Sequence, residues 1–227
     1  MRYDDVRLFG NPEAEYVFVQ LVDEHDSSLM ESEAKLLGEM AGGDDWCVAA
    51  VPVGDWNADL TPWEAPPVFG KLGFGDGAAA TLERIMDTVI PELEKARLGK
   101  GRTYAICGYS LAGLFSLWAA CQTDAFAAAI AVSPSVWYPG WIDYAREHPT
   151  QARAVYLSLG DREARAKNPV MAAVGDAIRR QCDLLTSGGK RCVLEWNPGN
   201  HFVDSDRRTA KGLAWALKAL REKQKKA

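Results

Sequence analysis

The chain has 227 residues, 48% hydrophobic and 25% charged: apolar material enough for one sizeable core but too little length for two enzyme domains, so one domain over 1–227 is expected. Its formal net charge of −5 argues against a nucleic-acid partner, because such proteins neutralise phosphates with a basic face. Asp4 and Asp5 precede any apolar run, and no apolar stretch is long enough to span a bilayer. Neither a secretory signal nor a membrane segment is therefore read, and a cytoplasmic location is expected.

Along the chain, short β-branched runs alternate with longer helical patterns. A weak run at 6–9 reads as an antiparallel edge, followed by strands at 16–22, 46–53, 103–107, 127–132, 154–159 and 191–196. This alternation predicts an α/β fold, a mostly parallel sheet of six to seven strands between two helical layers. Ser28 and Glu31 form a capping-box pattern, with Leu29, Leu36 and Met40 on one side of the helix and Gly42-Gly43 as its stop. A helix over about 78–97 contains Pro91 and is expected to bend there. Asn168-Pro169 reads as an N-cap with proline in the first turn, followed by the stripe Val174, Ile178, Cys182 and Leu185 up to Gly188. The last helix starts near Ser205 and packs through Leu213, Leu217 and Leu220, and the basic run at 221–226 is expected to be a solvated, frayed end. The five cysteines, odd in number and without metal-ligand spacing, read as reduced core thiols.

Two connections are too rich in aromatics to be plain turns. Residues 54–77 carry Trp56, Trp63, Phe69 and Phe74, and 133–142 carry Trp137, Tyr138 and Trp141. Both follow strands, so both emerge at the carboxyl edge of the sheet, where ligands bind in open α/β folds. Trp56, Trp63, Trp137, Tyr138 and Tyr109 read equally as walls of a pocket for a small ester and as residues pinning the loops.

Between the apolar strand ending at Cys107 and the apolar helix beginning at Leu111 stands Gly108-Tyr109-Ser110-Leu111-Ala112-Gly113. A serine on so sharp a strand-to-helix turn adopts a strained backbone and presents its hydroxyl at the sheet edge, with room only for small residues two positions away on either side. Gly108 and Ala112 meet that demand. Ser110 is the candidate nucleophile, and the Leu111 amide, at the helix N-terminus, the candidate oxyanion donor. A serine hydroxyl needs a general base. Of the three histidines, His148 sits at a polar helix end and His25 just after a core strand. His201 lies between the last strand and the last helix, where folds of this kind supply their base. The acid that orients the imidazole should follow the preceding strand, which ends Leu159-Gly160-Asp161-Arg162-Glu163. The usual spacing favours Glu163 over Asp161.

The order Ser…Glu/Asp…His over strand–helix units from Tyr16 to Leu220 resembles the α/β-hydrolase fold reduced to its last six strands. The local text Gly108-Tyr109-Ser110-Leu111-Ala112-Gly113-Leu114-Phe115 resembles the esterase branch that includes enterochelin esterases, feruloyl esterases and S-formylglutathione hydrolases. The resemblance implies hydrolysis of a small-molecule ester or thioester without metal or organic cofactor. The chain departs from that branch after the first core strand, where relatives place a His-Gly type segment for a second oxyanion amide and this chain has Val22-Asp23-Glu24-His25-Asp26. Asp23 or Glu24 could donate there, although carboxylates beside a developing anion disfavour it unless they point away. The chain leaves no room for a large lid, so long-chain lipase activity is not expected. Thioesterase or peptidase chemistry uses the same triad, and a non-catalytic ligand-binding relative is the reading from another class.

Overall fold

The computed structural model describes residues 5–68, 70–95 and 101–224. Its seven strands are β1 (Arg7–Gly10), β2 (Tyr16–Val22), β3 (Trp46–Pro52), β4 (Thr103–Tyr109), β5 (Phe126–Val132), β6 (Ala154–Gly160) and β7 (Arg191–Asn197). They form one sheet in the order β1-β3-β2-β4-β5-β6-β7. Only β1 runs antiparallel, against β3. The chain leaves β2 for β3 on one side and returns to place β4 on the other. That reversal is a topological switch point, so the carboxyl ends of β2 and β4 flank the crevice where such sheets bind ligands.

Strand alternation divides the core between two faces. Tyr16, Phe18 and Val22 point to the layer of α1 (Glu24–Ala41) and α9 (Ser205–Gln224). Val17, Val19 and Leu21 point to the opposite layer, which holds α3 (Ala78–Arg84), α4 (Ile90–Lys95), α5 (Ser110–Gln122), α6 (Trp141–Glu147) and α8 (Val174–Ser187). Each fully buried Val, Leu or Phe contributes about 1.5–3 kcal/mol by leaving water. The α5 helix is buried from Leu111 through Ala120, as its apolar sequence requires. Cys47 and Cys107 are buried, the other three cysteines are partly buried, and all five are free.

Several elements differ from expectation for local reasons. Asp23, not Ser28, caps α1: its carboxylate accepts from Asp26 N, and Glu24 and Asp26 supply negative charge to the first turn. Ser28 lies inside the helix, bonded back to His25 O, and the buried face is Met30, Glu33, Leu37 and Ala41 rather than that of Leu29, Leu36 and Met40. The predicted 78–97 helix contains a π-helical turn at Ile85–Val89, just before Pro91, whose missing N–H removes the bond to residue 87. Residues 96 and 97 lie outside the described residues.

Asn168 does cap a helix with Pro169 in its first turn, but α7 (Pro169–Ala172) stops after one turn and α8 begins afresh. The basic run is not simply solvated, since Arg221 bonds Asp45 and the Ala41 carbonyl and Arg191 bonds Glu222; residues 225 and 226 lie outside the description. The long 54–77 connection is ordered by α2 (Trp56–Asp59), capped by Asp55, and by a bridge between Ala65 and Phe74. Phe69 lies outside the described residues. Among the described residues no helix is long and apolar enough to cross a membrane.

Candidate active site

Ser110 begins α5 directly from the end of β4 with φ of 56°, a left-handed conformation that an L-residue adopts only under strain. Gly108 is required by the turn, because a Cβ there would lie 2.4 Å from the Ala112 carbonyl. With both flanks small, the hydroxyl stands at the carboxyl edge of the sheet, lining a cavity of about 620 Å³. His201 and Glu163 line the same cavity.

The structure brings Glu163, not Asp161, to His201. Glu163 opens a 3₁₀ turn after β6, and its Oε2 lies 2.7 Å from His201 Nδ1. Its Oε1 accepts from Ser133 Oγ at 2.7 Å, from Gly160 N at 2.7 Å and from Arg208 Nη1 at 3.4 Å. Burial raises the Glu163 pKa, but the hydrogen bond and charge of His201, with Ser133 and the Gly160 amide, more than offset this and hold it below the usual carboxylate value. Gly160 must be glycine, since a Cβ there would meet Gly199 O at 2.5 Å and Glu163 Oε1 at 2.9 Å. Asp161 instead accepts from Gly199 N at 2.9 Å, fastening the loop that leads to His201.

The imidazole is also held through its backbone. Tyr109 donates its hydroxyl to His201 O at 2.7 Å and receives Arg208 Nη1 at 3.2 Å. Its ring meets the imidazole edge-on at 5.2 Å. Arg208, only 2% exposed, also donates to Pro198 O, so one guanidinium ties Glu163, Tyr109 and the histidine loop together. Ser110 Oγ rests 3.4 Å from Ser135 Oγ. Sequence reasoning missed Ser133, Ser135 and Arg208. Ser133, at φ 44°, follows β5 at the same sheet edge as Ser110, and Arg208 lies one turn into the helix after His201.

Asp23 follows β2 across the switch point and lines a smaller recess of about 150 Å³ that shares Trp56, Ser110, His201 and Phe202 with the large cavity. Its side chain is turned to the α1 cap. His25, Asp26, Tyr109 and Ser205 complete that recess. Burial and the neighbouring Asp23 push Asp26 up to about 6. Glu24 is the first residue of α1 and is exposed. His148 stacks on Tyr144 on α6, away from these groups.

Trp56 and Trp137 line the large cavity. Trp63 and Tyr138 do not. Trp63 donates to Pro139 O, Tyr138 donates to Trp63 O, and their rings pack 5.8 Å apart, so this pair pins the two long connections to each other. Of the two uses open to these aromatics, Trp63 and Tyr138 take packing because each polar tip finds a carbonyl on the facing loop.

A profile of the family described as Putative esterase matches residues 31–187. The chain belongs to this esterase family. The match takes in Ser110 and Glu163 and ends before His201, and membership makes the protein a carboxylic ester hydrolase of the α/β-hydrolase type. Among solved structures, the esterase is similar to an IroE-like serine hydrolase from Shewanella oneidensis, with a TM-score of 0.77 and 18% identity over 94% of this chain and 75% of that one. It is also similar to the siderophore hydrolase EstB from Aspergillus nidulans, with a TM-score of 0.73 and 16% identity over 94% of this chain and 89% of that one. The enterobactin esterase of Shigella flexneri gives 0.65 and 14% over 95% of this chain and 55% of that one. At these identities the likeness is one of fold. No curated protein matches the sequence.

Proposed function

We propose that the esterase cleaves small carboxylic esters through an acyl-enzyme, with Ser110 as nucleophile, His201 as general base and Glu163 as the acid that orients it. The observation that carries this reading is the 2.7 Å bond from Glu163 to His201 Nδ1, in a cavity that the strained Ser110 also lines. With Nδ1 engaged by the carboxylate, Nε2 is the nitrogen left to take a proton. The reaction requires the Ser110 hydroxyl to leave Ser135 and donate to Nε2. Oγ then bonds to the ester carbonyl carbon as its proton passes to the imidazole. The C–O bond to the alcohol breaks, the imidazolium returns the proton to the departing alkoxide, and water repeats the sequence on the acyl-enzyme. Glu163, held ionised by its donors, stabilises the imidazolium between these steps.

The Leu111 amide at the start of α5 supplies one oxyanion donor and the Asp23 amide, across the switch point, is the candidate second. One oxygen of the Asp23 carboxylate, Oδ1, accepts from Asp26 N in the α1 cap. No residue in this sequence of steps requires a metal or organic cofactor. The siderophore hydrolases among the structural neighbours make ester siderophores the first natural class to assay, beside simple aryl esters.

A fluorophosphonate probe is expected to add one adduct, mapped by peptide mass to Ser110 and absent from Ser110→Ala. An adduct elsewhere, or turnover of para-nitrophenyl butyrate by Ser110→Ala at the wild-type rate, would overturn the assignment. Thioesters and para-nitroanilides run in parallel separate esterase from thioesterase and peptidase activity.

A further inference from the structure

The two recesses that meet at Ser110 and His201 carry opposite charge. The larger one is walled mainly by apolar groups, Trp56, Trp137 and Phe202 among them, and is also lined by Arg162 and Arg165 of the turn around Glu163. Glu163 is the one carboxylate lining it, and both of its oxygens are already taken by His201, Ser133, Gly160 and Arg208. Neither Arg162 nor Arg165 makes a side-chain hydrogen bond or ion pair among the described residues. The smaller recess presents Asp23 and Asp26 instead.

Arg162 and Arg165, both exposed, put two guanidiniums on the wall of this apolar cavity in a protein of net charge −5. A guanidinium presents paired donors suited to a carboxylate.

We infer that the esterase selects esters that carry an anionic group, with the apolar body of the substrate against Trp56, Trp137 and Phe202 and the anion held by Arg162 and Arg165. This deepens the serine-esterase reading and rests on it. The chemical class is a carboxylate-bearing ester, such as a monoester of a dicarboxylic acid or an acyl ester on the phenolic hydroxyl of a hydroxybenzoate. Asp23 and Asp26 in the opposite recess repel the same anion, so the charge asymmetry also orients the substrate about the scissile carbonyl.

The test is a ratio of kcat/KM values. Para-nitrophenyl monoesters of succinic, glutaric and adipic acid are compared with the butyrate, pentanoate and hexanoate esters, and meta-acetoxybenzoate with meta-acetoxybenzamide. The first series places the anion on the acyl side, the second on the alcohol side. The wild type is expected to prefer the anionic member by roughly fivefold to tenfold in at least one series, the size two exposed charge pairs allow. That preference should shrink as salt rises toward molar strength.

The double variant Arg162→Gln with Arg165→Gln should bring the ratio to about unity, and the paired Lys substitutions should retain part of it, since a point charge remains without the bidentate fork. Because the readout is a ratio within one enzyme, a variant that folds less well moves both members together. Equal rates in both series for the wild type, or a preference that survives the double Gln variant, would overturn the inference. Neutral esters cleaved through Ser110 without charge preference defeat this inference alone, whereas turnover independent of Ser110 defeats the reading beneath it.

Discussion

Glu163 and Glu33 are both buried, 8% and 4% exposed, and they meet opposite fates. Glu163 sits among donors on every side, from β5, from its own turn, from the histidine loop and from α9. Glu33, on the inner face of α1, has one amide, Gln20 Nε2 at 3.2 Å on Oε2, and its Oε1 has no hydrogen-bond partner in the structure. Burial raises both carboxyls. At Glu163 the donors overcome it and the group stays below its usual value, while at Glu33 burial prevails over the Gln20 bond, with Asp26 and Asp206 adding to it, and the pKa rises to about 8. Supply of donors, rather than depth, decides which carboxyl keeps its charge. In this esterase the charge is kept beside the histidine and withheld from the helix layer.

The strongest way to break that contrast is to remove the charge where it is kept. Glu163→Gln preserves size but presents an amide to the imidazole, and it should lower kcat on para-nitrophenyl butyrate by about 10³- to 10⁴-fold, with KM little changed. A fall of less than about tenfold would remove Glu163 from the mechanism. Next in size is Arg208→Leu. It takes one donor from Glu163, one from Tyr109 and one from Pro198 O, and should lower stability to urea by roughly 3 kcal/mol, the scale for breaking a buried charge pair. A midpoint equal to the wild type's would mean that the guanidinium is not part of what holds the site.

This contrast also marks how much could be read from the sequence. The sheet, its one antiparallel edge and the elbow around Ser110 were legible because β-branched runs, a Gly-x-Ser turn and an all-apolar helix are local patterns. The pairing of Glu163 with His201 followed from strand order and loop spacing. What escaped was made by approach in space. Arg208 is 45 residues from Glu163 and reaches it only because α9 packs back across β6. Ser133 reads as an ordinary strand-end serine until its hydroxyl is seen on that carboxylate. Met40, expected in the α1 stripe, is exposed and the polar Glu33 is buried, because Asp23 rather than Ser28 starts the helix and the inward face is set by Met30 and Leu37.

Glu33 allows the contrast to be sharpened by pH. Its folded pKa of about 8 lies above the unfolded value, so between about pH 4.5 and pH 8 the unfolded chain releases a proton that the folded one retains. Stability owed to this group is therefore full below the unfolded pKa and is lost as pH rises toward 8. Glu33→Gln should remove that slope. It is expected to raise stability at pH 8 by about 2 kcal/mol relative to the wild type and to change it little at pH 5, as read from urea midpoints at the two values. Gln20 Oε1 is also without a hydrogen-bond partner, and the new amide gives it a donor. An equal effect at both pH values would mean that Glu33 is not the group that titrates.

The smallest effect belongs to Asp161, and it separates two things a carboxylate can do. Asp161 Oδ1 accepts one backbone N–H, from Gly199, on an exposed stretch of chain. An amide oxygen can accept the same bond, so Asp161→Asn should leave stability within about 0.5 kcal/mol and kcat within about twofold of the wild type. Asp161→Ala removes the acceptor and should cost about 1 kcal/mol, with a few-fold loss in kcat because Gly199 leads to His201. The same acid-to-amide exchange thus spares position 161 and disables position 163. If Asp161→Asn instead lost activity on the scale expected of Glu163→Gln, charge rather than acceptor geometry would matter at both, and the division of labour between the two acids would fall.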